Sequence, residues 1–159
     1  MRYLPNGKQM SEADAHTIHK IGIPSLVLME RAALQIVETM HKKNISTEKS
    51  LIVCGSGNNG GDGFAVARLL TEQGKHADVL FAGKEASLSE ECRCQKQIVE
   101  NMGISVFTEF PDEEYTVIID AVFGVGLCRE ITGHYKDVID WMNLQDTEKV
   151  AVDIPSGIC

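Results

Sequence analysis

The chain has 159 residues, the size of one domain or of part of a larger one, and is too short for several domains. Hydrophobic residues make up 43% and charged residues 24%, which is typical of a globular protein with a core and excludes a disordered chain. The net charge of −8 disfavours binding to nucleic acid or to an anionic membrane surface. An anionic ligand must therefore be held by local groups.

The first fifteen residues are polar and acidic, without the apolar run of a secretory signal, so we predict a cytoplasmic protein. The most apolar stretch, residues 115–128, is shorter than the ~20 residues that a membrane helix needs. The five cysteines form no C-x-x-C pair, which predicts reduced thiols. Cys92 and Cys94 could bind a soft metal, but their charged surroundings favour a solvated helix.

Two helices are predicted before the first strand. Ser11 and Asp14 resemble a capping box and predict a short helix over residues 11–20. A longer helix should follow the Gly-Ile-Pro break. Its apolar residues recur at three- and four-residue spacing, which places Met29 and Met40 in the core.

From residue 50 onward, short apolar runs alternate with helical stretches, which indicates an α/β fold with a parallel sheet. Strands are predicted at Leu51–Cys54, Asp78–Phe81, Ser105–Phe107, Val117–Asp120 and Val150–Asp153. Helices are predicted between them at Gly63–Gln73, Ser89–Asn101 and Tyr135–Asn143. Ligands of such sheets bind beyond the carboxyl ends of the strands, so we expect functional residues in the loops that follow the strands.

The first of these loops holds five glycines in nine residues, from Gly55 to Gly63. Such a loop lets backbone N–H groups approach a phosphate at the start of a helix. Its G-x-G-x-x-G spacing also matches a dinucleotide fingerprint, but residues 80–84, which close the next strand, include no carboxylate that would hold a ribose, and Asp78 lies near the start of that strand. A Walker A loop is excluded because no Gly-Lys-Ser/Thr follows. A glycine-rich turn that serves only tight packing remains the alternative.

Two more strand ends carry carboxylates. Asp120 closes an apolar strand, and a carboxylate there is costly to bury without a partner such as a cation. Asp153 closes the last strand and is followed by Ser156 in a tight turn. Their joint placement beside the glycine-rich loop predicts a functional site at one edge of the sheet.

Four motifs together resemble the YjeF N-terminal domain family, the NAD(P)H-hydrate epimerases. They are LMERAA at residues 28–33, NNGGDG at 58–63, DAVFGVGLCRE at 120–130 and VDIPSG at 152–157. The resemblance implies a Rossmann-like three-layer αβα sandwich with a mainly parallel sheet and two helices before the first strand. It also implies an isomerase that interconverts the R and S forms of hydrated NADH and NADPH, so that a dehydratase specific for one form can repair both.

The resemblance further implies a potassium ion held by the side chains of Asn59, Asp120 and Ser156, which are hard oxygen donors. The nucleotide contacts that it implies are Asn58, Asn59, Gly60, Gly61, Asp62, Gly124, Val125, Gly126, Leu127, Cys128, Arg129, Glu130 and Asp153. Epimerisation needs one carboxyl group that gives and retakes a proton. We choose Asp153, because Asp120 is committed to the metal, and place Asp62 second.

The chain departs from the family pattern in two places. Arg31 and Ala33 stand where many relatives have Asn and Gly, on a helix that we expect to shape the site wall and the dimer surface rather than to take part in the chemistry. The sequence also stops directly after the third loop, whereas the family's domain continues, so the resemblance implies a single domain, 1–159, that is truncated at its C-terminus. A homodimer and a dehydratase, possibly fused downstream, are the implied partners.

Two other functions remain open at this point. Domains of this shape in proteins that enhance mRNA decapping serve as dimeric scaffolds, although the intact glycine loop and the net charge of −8 argue against that role here. An NAD-dependent oxidoreductase is the third possibility. It lacks both the ribose carboxylate and a group for hydride transfer.

Overall fold

The computed structural model describes residues 7–127 and 130–158. It contains five helices and five strands, with a π-helical turn at Thr17–Ile21 and a 3-10 turn at Glu85–Ser87. The helices are α1 Gly7–His16, α2 Ser25–Lys42, α3 Asn58–Glu72, α4 Glu90–Asn101 and α5 His134–Leu144. The strands are β1 Lys49–Cys54, β2 His76–Phe81, β3 Val106–Phe107, β4 Val117–Ala121 and β5 Glu148–Ala151.

The strands form one parallel sheet in the order β3-β2-β1-β4-β5. Val53 of β1 lies opposite Leu80 on one side and Asp120 on the other. The chain leaves β1 towards β2 and later returns to the opposite side of β1 as β4. This reversal is the topological switch point where open α/β sheets bind ligands.

Helices cover both faces of the sheet. On one face α2, α3 and α4 pack against side chains such as Ile52 and Ile119, with Phe64 fully buried between the layers. On the other face α5 packs through Val138 and Met142. The predicted α/β fold with three layers is therefore confirmed, and Met29 and Met40 are buried as expected. None of the described helices is long and apolar enough to cross a bilayer.

Several element boundaries differ from the sequence prediction by one or more residues, and three of these differences move a residue that the prediction singled out. The first helix begins by Gly7, so Ser11 lies inside it and is not its cap. Helix α3 begins at Asn58, five residues earlier than expected, because the second half of the glycine-rich loop is itself helical. Strand β5 ends at Ala151, which leaves Asp153 in the loop beyond it.

The interpretation of Cys92 as a residue on a solvated helix was wrong. Its side chain is fully buried, and its Sγ lies 3.7 Å from the carbonyl oxygen of Gly55. Burial raises the pKa of Cys92 to about 12, so the thiol stays protonated and packs beneath the glycine-rich loop.

Candidate active site

The glycine-rich segment joins β1 to α3 and packs against the loop after β4. A Cβ on Gly55 would lie 2.3 Å from the carbonyl oxygen of Val122, and one on Gly60 would lie 2.0 Å from the carbonyl oxygen of Gly55. Gly57, the residue before α3, is exposed and has nothing within 4 Å of such a Cβ. The buried glycines therefore serve close packing, while Gly57 leaves the start of the helix open to a ligand.

Asp120 finds its partners in the turn after β5. Its Oδ2 accepts a hydrogen bond of 2.7 Å from the backbone N–H of Ser156, and its Oδ1 accepts one of 2.7 Å from the Ser156 hydroxyl. Oδ1 also accepts a hydrogen bond from Val122 N–H at 3.1 Å. Asp120 and Ser156 therefore lie in direct contact. The three hydrogen bonds offset the cost of removing this carboxylate from water.

Asp153 meets the same loop from the other side. Its Oδ2 accepts a 2.8 Å hydrogen bond from Val125 N–H, and a Cβ on Gly124 would lie only 2.5 Å from that oxygen. The glycine thus permits the close approach of the carboxylate to the loop. The same hypothetical Cβ would lie 3.5 Å from Oδ1 of Asn59, so Gly124 separates Asn59 from Asp153.

Asp62 lies in the second turn of α3 and is mostly buried. Burial raises its pKa from 3.8 to about 7, with further contributions from the negative charges of Asp153 and Asp14. A carboxyl group with this pKa is half protonated at neutral pH, so it can both donate and accept a proton. This is the condition that general acid–base catalysis requires.

A cleft of about 1690 Å³ opens at this edge of the sheet. Its walls come from α1 and α2, the start of α3, and the loops after β2, β4 and β5. The predicted site residues that line it are Asn58, Asn59, Asp62, Gly124, Val125, Gly126, Leu127 and Asp153. Most of the predicted nucleotide contacts therefore share one cavity.

The other predicted residues that the structure describes do not line this cleft. Gly60 and Gly61 are buried in α3, and Glu130 is exposed. Cys128 and Arg129 lie outside the described residues. Asp120 and Ser156 border a separate cavity of about 110 Å³ next to α5, and no hydrogen bond joins Asn59 to either of them.

Several cleft residues were missed by the sequence analysis. Asp14 of α1 lies in the wall and adds its charge to that felt by Asp62. Ser25 of α2 donates a 2.5 Å hydrogen bond to Glu91 of α4, which joins two helix starts at the cleft rim. Lys84 and Ser87 follow β2. The sequence pointed only to Lys84, because this residue lies near the position at which a dinucleotide-binding domain has a ribose-binding carboxylate.

The fold and the site together define a class: an α/β protein with a cleft at the switch point of its parallel sheet, lined by the glycine-rich start of α3 and by the carboxyl groups of Asp62 and Asp153. The model of the family "YjeF-related protein N-terminus" matches residues 25–159. The chain belongs to this family.

Curated relatives and a solved structure agree with that assignment. A protein of Oenococcus oeni named NAD(P)H-hydrate epimerase is 42% identical over 155 residues, which cover 96% of this chain and 74% of the relative. One of Weissella koreensis with the same name is 41% identical over 151 residues, 94% of this chain and 68% of the relative. The crystal structure of the yeast protein YNL200c superposes with a TM-score of 0.83 at 21% identity, covering 98% of this chain and 72% of that one, which supports the fold.

Proposed function

We propose that this protein is an NAD(P)H-hydrate epimerase, an isomerase that interconverts the two epimers of hydrated NADH and NADPH. One observation carries the proposal. In a cleft at the switch point, the Asp62 carboxyl has a pKa of about 7 and lies within the field of a second carboxylate, Asp153. Relatives that are 41% and 42% identical carry the name of this activity.

Epimerisation of the hydrate requires only proton transfer from the protein. The hydrate carries a hydroxyl on a ring carbon that is bonded to nitrogen. The nitrogen lone pair expels this hydroxyl as water once an acid has protonated it, and water then adds to the opposite face and returns one proton. No bond or charge changes overall, so a single group that gives and retakes a proton suffices.

We assign this role to Asp62 and place Asp153 second, the reverse of the order chosen from the sequence. Asp153 is exposed, and its carboxylate is committed to the N–H of Val125. Asp62 is the group whose neutral and charged forms are both populated near pH 7. Asp153 then holds the loop and, through its charge, keeps the pKa of Asp62 high.

The raised pKa of Asp62 makes stability depend on pH. Between about pH 4 and pH 7 the folded protein binds this proton more tightly than the unfolded chain does, so the free energy of unfolding should fall as pH rises through this window. Asp62→Asn should remove that slope and stabilise the protein at pH 8, by no more than about 4 kcal/mol. Urea unfolding at pH 5 and pH 8 measures the slope. An unchanged slope in the variant would mean that Asp62 has an ordinary pKa.

Asp120 and Ser156 supply adjoining oxygen donors of the kind that a potassium ion prefers, while Asn59 lines the neighbouring cleft. Asp120 brings a full charge. The Ser156 hydroxyl donates to Asp120 and accepts from Phe123 N–H at 3.0 Å, which leaves one of its two lone pairs for an ion. The buried side-chain amide nitrogen of Asn59 has no hydrogen-bond partner among the described residues, so this amide is free to turn its oxygen to an ion. The described residues contain no group of three His, Cys, Asp or Glu side chains suited to a transition metal. Potassium bound here would balance the charge of Asp120.

We therefore expect activity to rise with potassium at constant ionic strength and to survive EDTA. Potassium, compared with choline, should also raise the melting temperature, because an ion bound only to the folded state stabilises it. Asp120→Asn should abolish both responses. Asp140→Asn is the control and should leave them intact, because Asp140 only forms an exposed ion pair with Lys136 on α5. Complete loss of activity on EDTA treatment would overturn the assignment of a monovalent ion.

The test of the function itself is chiral chromatography of hydrated NADH incubated with the protein. Exchange of the epimers above the slow spontaneous rate is the expected result. No exchange would favour a dimeric scaffold, and oxidation would favour an oxidoreductase. We further propose a cytoplasmic homodimer that acts together with a dehydratase specific for one epimer.

A further inference from the structure

Lys84 stands directly beyond the second strand and is fixed against the glycine-rich loop. Its backbone N–H donates a 2.8 Å hydrogen bond to the hydroxyl of Ser56, a residue that is only 8% exposed. Just before it, Ala82 N–H donates a 2.9 Å hydrogen bond to the carbonyl oxygen of Cys54. These bonds hold the end of β2 beside the open start of α3.

The ammonium group of Lys84 is available to a ligand. Lys84 is exposed in the cleft wall, and across residues 7–127 and 130–158 it makes no ion pair. The adjacent acid, Glu85, is bound to Lys96 at 2.9 Å instead. Ser87, which carries a hydroxyl, lines the same wall.

One carboxylate shares this side of the cleft. Glu91 accepts the hydrogen bond from the Ser25 hydroxyl, which lowers its pKa and keeps it charged. It does not pair with Lys84. The wall after β2 thus offers one free cation and one hydroxyl, with a single carboxylate that is already engaged.

In sheets with this strand order, the end of the second strand is where a bound dinucleotide places its adenosine ribose. A dinucleotide whose pyrophosphate lies at the glycine-rich helix start places its adenosine ribose at the end of the second strand, where a carboxylate binds a free 2′-hydroxyl and a cation accommodates a 2′-phosphate. Here the acid of β2 is Asp78, which is buried within the strand and bonded to His76 and Tyr115. Lys84 lies in the loop three residues beyond the end of β2.

We propose that Lys84, assisted by Ser87, binds the 2′-phosphate of hydrated NADPH and makes this substrate preferred over hydrated NADH. The inference rests on the proposed function and names its specificity determinant. A charge-assisted hydrogen bond to phosphate supplies the discrimination, since hydrated NADH has only a hydroxyl at that atom.

The test compares kcat/KM for the two hydrates in the wild type, Lys84→Gln and Lys84→Glu. Lys84→Gln should reduce the preference for hydrated NADPH by roughly 10–100-fold, mainly through KM. Lys84→Glu should reverse the preference, because its carboxylate repels the phosphate and can accept from the 2′-hydroxyl. Lys43→Gln is the matched control, since this exposed lysine follows α2 and does not line the cleft.

Equal kcat/KM for both hydrates in the wild type would overturn the inference and leave the epimerase intact, as would an equal loss on both substrates in Lys84→Gln. Epimerisation of neither hydrate would overturn the proposed function. In that case calorimetry with NADP⁺ and NAD⁺ still tests the site. Tighter NADP⁺ binding that Lys84→Gln removes would support it, and equal or absent binding would overturn it.

Discussion

Replacing Asp62 by asparagine should lower the rate of epimerisation by about 10²–10⁴-fold, the usual contribution of general acid–base catalysis. Asparagine keeps the shape of the side chain but cannot exchange a proton, so the loss should appear in kcat and leave KM nearly unchanged. Rates for hydrated NADH, corrected for spontaneous epimerisation, measure it. The wild-type rate should also depend on a group that titrates near pH 7, and this dependence should vanish in the variant.

Asp153→Asn provides the contrast. Its amide oxygen can still accept the hydrogen bond from Val125 N–H, so the loop should stay in place. Loss of the negative charge lowers the pKa of Asp62, which should move the pH profile to lower pH with a smaller loss of activity. If Asp153→Asn instead removes activity while Asp62→Asn stays within a few-fold of the wild type, the two roles must be exchanged.

Asp62 and Asp153 exchange the roles that were predicted from the sequence, and this exchange shows which features of the site a sequence can predict. The strand ends could be predicted, because apolar runs followed by Asp or Gly mark the carboxyl edge of a parallel sheet. The pKa of Asp62 could not. It depends on burial and on Asp153, which lies 91 residues later in the chain and reaches the cleft only through the β4–β5 pairing.

The start of α3 and the burial of Cys92 were missed for a related reason. Each glycine disfavours a helix by about 1 kcal/mol relative to alanine, so local propensity argues against helix across Gly60 and Gly61. Tertiary packing overrides it, because α3 approaches both the loop after β1 and helices α2 and α4 closely. The charged residues around Cys92 likewise led to the prediction of a solvated helix, although Cys92 faces inward from α4 and contacts the carbonyl oxygen of Gly55.

Gly60→Ala should destabilise the protein by about 3 kcal/mol or more and abolish activity. Its Cβ would lie 2.0 Å from the carbonyl oxygen of Gly55, and a backbone atom cannot move aside as a side chain can. The gain in helix propensity, about 1 kcal/mol, is too small to offset this overlap. For a chain of this size the melting temperature should fall by about 6–12 °C.

Two neighbouring glycines make the comparison decisive, because they differ in what an added methyl group would meet. At Gly57 nothing lies within 4 Å and φ is −88°, so Gly57→Ala should unfold like the wild type. At Gly61 the nearest atom is the terminal methyl of Met29, 2.6 Å away, and this flexible end can move, so Gly61→Ala should fall between the other two. Urea unfolding of the three variants tests the order Gly57, Gly61, Gly60. Equal stability of Gly57→Ala and Gly60→Ala would show that the glycines serve the ligand alone. The graded order would show that the close contact between Gly60 and Gly55 also holds the start of α3 against the loop after β1.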